Sequence, residues 1–175
     1  MATRQLSAAE KQAHLVELIR DFDTAMLVTR TADGSLRSRP LAIAEVVAEG
    51  DGDGEGYMYF ATSIESGKVH EVEDDAHVNV VLQDGKRFVS ISGVARIVRD
   101  RALIDRLYSE AWKVWFPKGK GDPTLALLEV DATAAEYWDQ SGAKGLAYLY
   151  EAVTAYVKGR RPHEADEMQN AKIDL

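Results

Sequence analysis

Arg37 and Arg39 in "LRSRP", and Ser66 and Lys68 in "FATSIESGKVHE", are the residues whose types and spacing suit recognition of an anion. Side chains repeat every two residues along a strand, so the two arginines share a face if "LRSRPLAI" is extended. Thr62 and Ser66 flank the start of a helix, where the first N–H groups have no partner and a partial positive charge accumulates. A lysine at position 68 is mildly unfavourable there unless an anion faces it. A phosphate satisfies the hydroxyls, the N–H groups and the cations together. Two plainer readings stand beside this one: an exposed strand face with surface carboxylates as partners, and an ordinary capped helix with an exposed lysine. The spaced glycines of a P-loop are absent.

All three tryptophans fall between Trp112 and Trp138, and Trp112, Trp115 and Phe116 belong to the proline-bounded "WKVWFPKGKGDP". Such rings either anchor a core or stack on a flat conjugated ligand. A phosphate cradle with an aromatic cover suggests a phosphorylated aromatic cofactor.

Other constellations point nowhere as specific. "DGDGEG", residues 51 to 56, starts like a calcium loop, but its twelfth position is Thr62 where a bidentate glutamate is needed, so a solvated loop is expected. His14, His70, His77 and His163 share no ligand spacing and none neighbours a nucleophilic serine, so no metal site or serine–histidine pair is expected. The sequence has no cysteine, which removes disulfides, thiol nucleophiles and cysteine-held metal centres. A net charge of −8 opposes attraction to nucleic acid or to an anionic membrane surface. No apolar run approaches the roughly 20 residues that span a bilayer, and the N-terminus lacks the apolar centre of a secretory signal. A cytoplasmic protein is expected, with neither nucleic acid nor membrane as partner.

The elements that must position these residues follow from periodicity and turn chemistry. Ser7 to Glu10 is a capping box, followed by helical spacing that ends near Asp21. Ala32 to Ser35 joins two strands, and Asp84 to Lys86 joins "HVNVVLQ" to "RFVSISGVARIV", with a bulge expected at Gly93. "YMYFAT" is a strand between the acidic loop and the helix of Lys68. Asp100 caps a helix running to about Ala111. "LALLEVDATAAEYWD" reads as a strand pair or one bulged strand, although "TLALLEV" also suits a helix. "AKGLAYLYEAVTAYVKG" is an amphipathic helix, and residues 158–175 a polar, extended tail. At 175 residues, 46% of them hydrophobic, one domain is expected over residues 1–175. The fold expected is mainly β with flanking helices, an α+β arrangement built on a six-stranded antiparallel barrel.

The order of parts resembles the FMN-binding split β-barrel, pyridoxine 5′-phosphate oxidase-like superfamily, and within it the general stress protein branch. Four segments carry the resemblance from about Leu15 to Tyr156: "DGSLRSRPLAI", "YFATSIESGKVHEVEDDAHVNVVLQD", "FVSISGVARIVRDRA" and "AWKVWFPKGKGDPTLALLEVDATAAEYWD". The resemblance implies a homodimer with FMN, or FAD, at the subunit interface. It implies that Arg39, with Pro40, Leu41 and Ala42, lines the flavin and reaches toward its phosphate, with Arg37 as neighbour. It further implies that Ala61 and Thr62 touch the cofactor, that Ser66 and Lys68 hold the phosphate, and that Trp138 reaches the flavin of the other subunit. Trp115, Phe116 and Lys118 match a segment typical of the stress-protein branch, with an implied place over the ring. Two departures separate this chain from the pyridoxine phosphate oxidases. "YWDQSGAKGL" has neither arginine nor histidine where those enzymes carry an "RLHDR"-like segment, which disfavours vitamin B6 oxidation, and Ala44 or an apolar neighbour replaces a flavin-gripping lysine. The activities implied are an oxidoreductase on a small molecule with a nicotinamide donor, a non-catalytic flavin carrier or redox sensor, or a deazaflavin-dependent reductase. A barrel that acts as a binding module without cofactor is the remaining alternative.

Overall fold

Ser7 opens the first helix, α1 (Ala8–Arg20): its hydroxyl accepts from the Glu10 amide while the Glu10 carboxylate accepts from the Ser7 amide. The computed structural model describes residues 6–48, 56–141 and 170–175. Strands β1 (Thr24–Arg30) and β2 (Leu36–Val47) form the first hairpin. Gly34 takes φ +84° at its tip, and the Asp33 carboxylate accepts from the Ser35 amide. The hydrogen bond from Thr31, then those from Ser35, hold the Asp33 carboxyl down to about 2. The turn thereby fixes the register on which the arginines depend.

Strand β3 (Tyr57–Ser63) leads into helix α2 (Gly67–Asp74), and β4 (His77–Gln83) with β5 (Arg87–Val98) forms the second hairpin. Helix α3 (Arg101–Leu107) follows the Asp100 cap and stops earlier than the expected Ala111. Tyr108 leaves helical geometry at ψ 132°, and Ser109 caps a separate 3₁₀ turn, Glu110–Val114. Residues 125–139 then form a single strand, β6 (Leu125–Asp139), neither a helix nor a strand pair.

The strands run in the order β3-β2-β1-β4-β5-β6, and β3 also pairs with β6, which closes a six-stranded antiparallel barrel. β6 is shared: residues 125–131 pair with β3, while Ala134 to Trp138 pair with a seventh strand, β7 (Asn170–Asp174). The expected polar tail therefore ends in a paired strand, because Ala171 and Ile173 alternate inward to join the core. A bulge does fall at Gly93, but the extra residue is Thr133 on β6, since Ser92 pairs with Ala134 and Gly93 with Ala132. A Cβ at Gly93 would stand 2.3 Å from the Asp131 carbonyl oxygen, so the close approach requires glycine.

The interior is filled from every strand and covered by α1, with Leu27, Phe60, Val80, Leu82 and Tyr137 fully buried. A second cluster lies on the outside of the β3–β6 seam, where Tyr57, Tyr59, Ile104, Trp112, Phe116, Leu125 and Leu127 pack together. That is why Leu125 to Val130 are buried on both faces of β6. No helix among the described residues is long and apolar enough to cross a membrane. The acidic loop at 49–55 and the amphipathic helix expected over 143–159 lie outside the described residues.

Candidate functional site

The first hairpin places Thr29 opposite Arg37 and Leu27 opposite Arg39. Cross-strand partners share a face, so both arginines lie on the inward side with the buried Leu27 and Thr29, at the end of the barrel where α2 packs. They meet a carboxylate there. Glu71, on α2, is 9% exposed, and its Oε2 lies 2.7 Å from Arg39 Nη2. The Thr29 hydroxyl donates to the same oxygen at 2.6 Å, and Arg39 Nη1 donates to the Thr29 hydroxyl at 3.0 Å. Arg37 Nη1 stands 3.5 Å from Oε1, with its side chain 66% exposed against 22% for Arg39. Burial pushes the Glu71 carboxyl up, but the hydrogen bonds from Thr29 and Arg39 and the two guanidinium charges outweigh it, leaving the group below its ordinary value.

Lys68 stands one turn before Glu71 on the same helix. Its ammonium makes no hydrogen bond or ion pair among the described residues. Burial first, then the Arg39 charge, hold it below its usual value, and Glu71 opposes them only in part. Ser66 occupies the N-cap position of α2 without capping it; its hydroxyl lies 3.5 Å from that of the buried Thr62 instead. The cluster thus gathers three cations around one carboxylate, beside a helix start whose serine hydroxyl is not committed to the helix. Against that one buried carboxylate the three cations leave a surplus of two charges, with the exposed Asp33 acting on Arg37 from the turn, and this donor set fits a phosphate monoester.

The other expected contacts divide by face. Leu41 points inward and packs against the core, whereas Pro40 and Ala42 lie on the outer face with Met26. Trp138 is on that outer face too, opposite Phe88 and Asn170, so a single chain does not bring it to the arginines. Thr62 faces inward and Ala61 outward against the second cluster, which Ala44 also joins at a bulge of β2. "WFPK" splits as well. Phe116 is 4% exposed and anchors the second cluster, the core reading of such rings, while Trp115 beside it is 68% exposed. Lys118 lies close to Asp122, whose carboxylate also takes the Thr124 hydroxyl. A cavity of about 300 Å³ between α1 and the barrel, bordered by Leu15, Met58 and Asp131, shares no residue with the cradle.

The family model described as "Pyridoxamine 5′-phosphate oxidase like" matches residues 10–163. The chain belongs to the pyridoxamine 5′-phosphate oxidase-like family. Among relatives of this family, Protein bli-3 of Neurospora crassa is 31% identical over 65% of this chain and 57% of its own length. General stress protein 26 of Bacillus subtilis is 33% identical over 42% of this chain and 56% of its own. The chain thus matches a little under three fifths of each of these two proteins. A crystal structure of a protein from Xanthomonas citri, named there as a general stress FMN/FAD binding protein, is 29% identical, with 77% of this chain and 92% of that one aligned at a TM-score of 0.63.

Glu71 and Thr29 are the two members of the cluster that the sequence does not single out. Glu71 looks like any acidic residue on a polar helix, although its place three residues after Lys68 puts both on one helix face. Thr29 becomes visible only once the hairpin register sets it opposite Arg37.

Proposed function

We propose that this chain binds a flavin through its phosphate, FMN in preference to FAD, between two copies of itself. The observation that carries the reading is the surplus of two positive charges at Arg37, Arg39 and Lys68, set against a single buried carboxylate. A terminal phosphate monoester brings about two negative charges at neutral pH, and each phosphate of a diphosphate linkage brings about one, so the surplus suits FMN. Arg39 and Lys68 hold the phosphate, with Arg37 at the rim and the Ser66 hydroxyl and first N–H groups of α2 completing the set. Thr62 lines the same end of the barrel.

The outer face supports the dimer. Met26, Phe88 and Val94 are exposed there beside Pro40, Ala42 and Trp138, and a second copy laid on that face covers them and supplies Trp138 to a flavin anchored in the other subunit. On this reading Trp115 and Lys118 come over the flavin ring from the segment outside the β3–β6 seam. A bound flavin supplies hydride and electron transfer, while the chain supplies anchorage, orientation and control of water. The substrate class is a small molecule, with a nicotinamide as electron donor. A non-catalytic carrier or redox sensor uses the same anchorage, and a deazaflavin-dependent reductase the same barrel. Oxidation of pyridoxine phosphate is disfavoured, because Asp139, Gln140 and Ser141 follow Trp138 where a second phosphate would need arginine and histidine.

Equilibrium titration of the purified protein with FMN, FAD and riboflavin tests the reading. FMN should bind at least about tenfold more tightly than riboflavin, the loss of one charge-assisted hydrogen bond or more. Equal affinity for FMN and riboflavin would remove the phosphate site. Anaerobic addition of NADH or NADPH to the loaded protein then separates an oxidoreductase, which bleaches, from a carrier, which does not.

A further inference from the structure

Arg39 is held from two sides before any ligand arrives. Glu71 takes a donor of Nη2 and the Thr29 hydroxyl takes a donor of Nη1, which leaves three of the five guanidinium N–H groups for something else. The holders are themselves fixed: Thr29 is buried in β1, Glu71 is buried on α2, and the two are bonded to each other. Arg37, by contrast, is mostly exposed and meets Glu71 only at 3.5 Å. The two arginines, equal in sequence, are unequal in preparation.

We infer that Glu71 and Thr29 are positioning residues that set Arg39 in place for the flavin phosphate, an inference that rests on the flavin reading above. An arginine left free in solvent must give up rotamer freedom when it binds an anion, and that loss lowers affinity. Here the loss is taken at folding, so the phosphate meets a donor already arranged. The opposite role for Glu71, an internal anion that competes with phosphate for the arginines, conflicts with its bonding. Oε2 accepts from both Thr29 and Arg39, and moving it aside would strand a buried hydroxyl and a buried carboxylate together. Glu71 therefore stays when phosphate binds, and the phosphate takes the remaining donors of Arg39 with Arg37 and Lys68.

The test is the ratio of FMN to riboflavin affinity in the full chain, measured for wild type, Glu71→Ala, Glu71→Gln and Thr29→Val, with thermal unfolding of each flavin-free protein alongside. Glu71→Ala should lower the ratio about 10- to 100-fold, the range of a charge-assisted hydrogen bond, with riboflavin affinity unchanged. Glu71→Gln keeps an oxygen that accepts from Thr29 and Arg39 and should restore most of the ratio. Thr29→Val, close in shape to threonine, should lower it about three- to tenfold, and it decides the matter if Glu71→Ala does not fold. A tighter FMN complex in Glu71→Ala would make Glu71 a competitor and overturn the inference. So would an equal loss for FMN and riboflavin, or an unchanged ratio in Thr29→Val. A wild-type protein that does not distinguish FMN from riboflavin overturns the flavin-phosphate reading itself, whatever the variants do.

Discussion

Lys68 carries a charge that folding disfavours. Burial and the Arg39 guanidinium both push its ammonium down, so the charged form is less stable in the folded chain than in the unfolded one. That penalty is full below the lowered folded value and disappears as pH rises from there to the unfolded one, or when an anion faces the lysine. Lys68→Met, similar in length and uncharged, should therefore raise the melting temperature of the flavin-free protein while weakening FMN at least about tenfold. Thermal melts and FMN titration of the same preparation check both halves; a variant that is less stable and binds normally contradicts the assignment. Glu71 runs the other way. Its folded pKa is depressed, so its contribution is complete above the unfolded value of about 4.3 and is lost as pH falls through the folded one. Below that unfolded carboxylate value of about 4.3, the wild-type melting temperature should fall more steeply with falling pH than that of Glu71→Gln.

The elements differ in how openly the sequence announces them. Both hairpins are legible because Asp33-Gly34 and Asp84-Gly85 interrupt alternating apolar runs, and the bounds of β4 and β5 match those runs. α1 is legible from its capping box. β7 is not, since two inward residues in five, Ala171 and Ile173, become a strand only by pairing with the far half of β6. The bulge is half legible: Gly93 signals a close approach, but which strand carries the extra residue depends on a register set about 40 residues away. The cradle divides in the same way. Arginine alternation and the Ser-x-Lys start are visible in the chain, whereas Glu71 gains its role from the fold, which buries it beside Thr29. The aromatic segment shows the limit of composition. Phe116→Ala should cost about 3–5 kcal/mol in urea unfolding because it empties a place in the second cluster, while Trp115→Ala should stay within about 0.5 kcal/mol. Equal effects would mean that the two rings share one role, against their different burial.

At the scale of the whole molecule, the closed barrel has two faces with different tasks. The inner face holds the arginines and the core; the outer face of β2, β1, β4 and β5 presents Pro40, Met26, Val81 and Phe88 in neighbouring strands, with Trp138 beside Phe88 on β6. Met26 is 38% exposed and Phe88 37%, and this apolar surface is the one that the proposed second copy would cover. Because Trp138 and the arginines occupy opposite faces, one chain cannot bring the expected indole to the proposed phosphate anchor. Met26→Glu tests whether the second copy matters. The site is outside the core and apart from the cradle, so the fold and the Arg39–Glu71 pair should persist, and far-UV circular dichroism should be unchanged. Sedimentation velocity should show a monomer, since a symmetric interface receives the charge twice. FMN affinity should then fall at least about tenfold although every phosphate ligand remains, the size expected when a large desolvated contact is lost. A monomer that binds FMN as wild type does would confine the site to one chain and leave the outer face with no part in holding the cofactor.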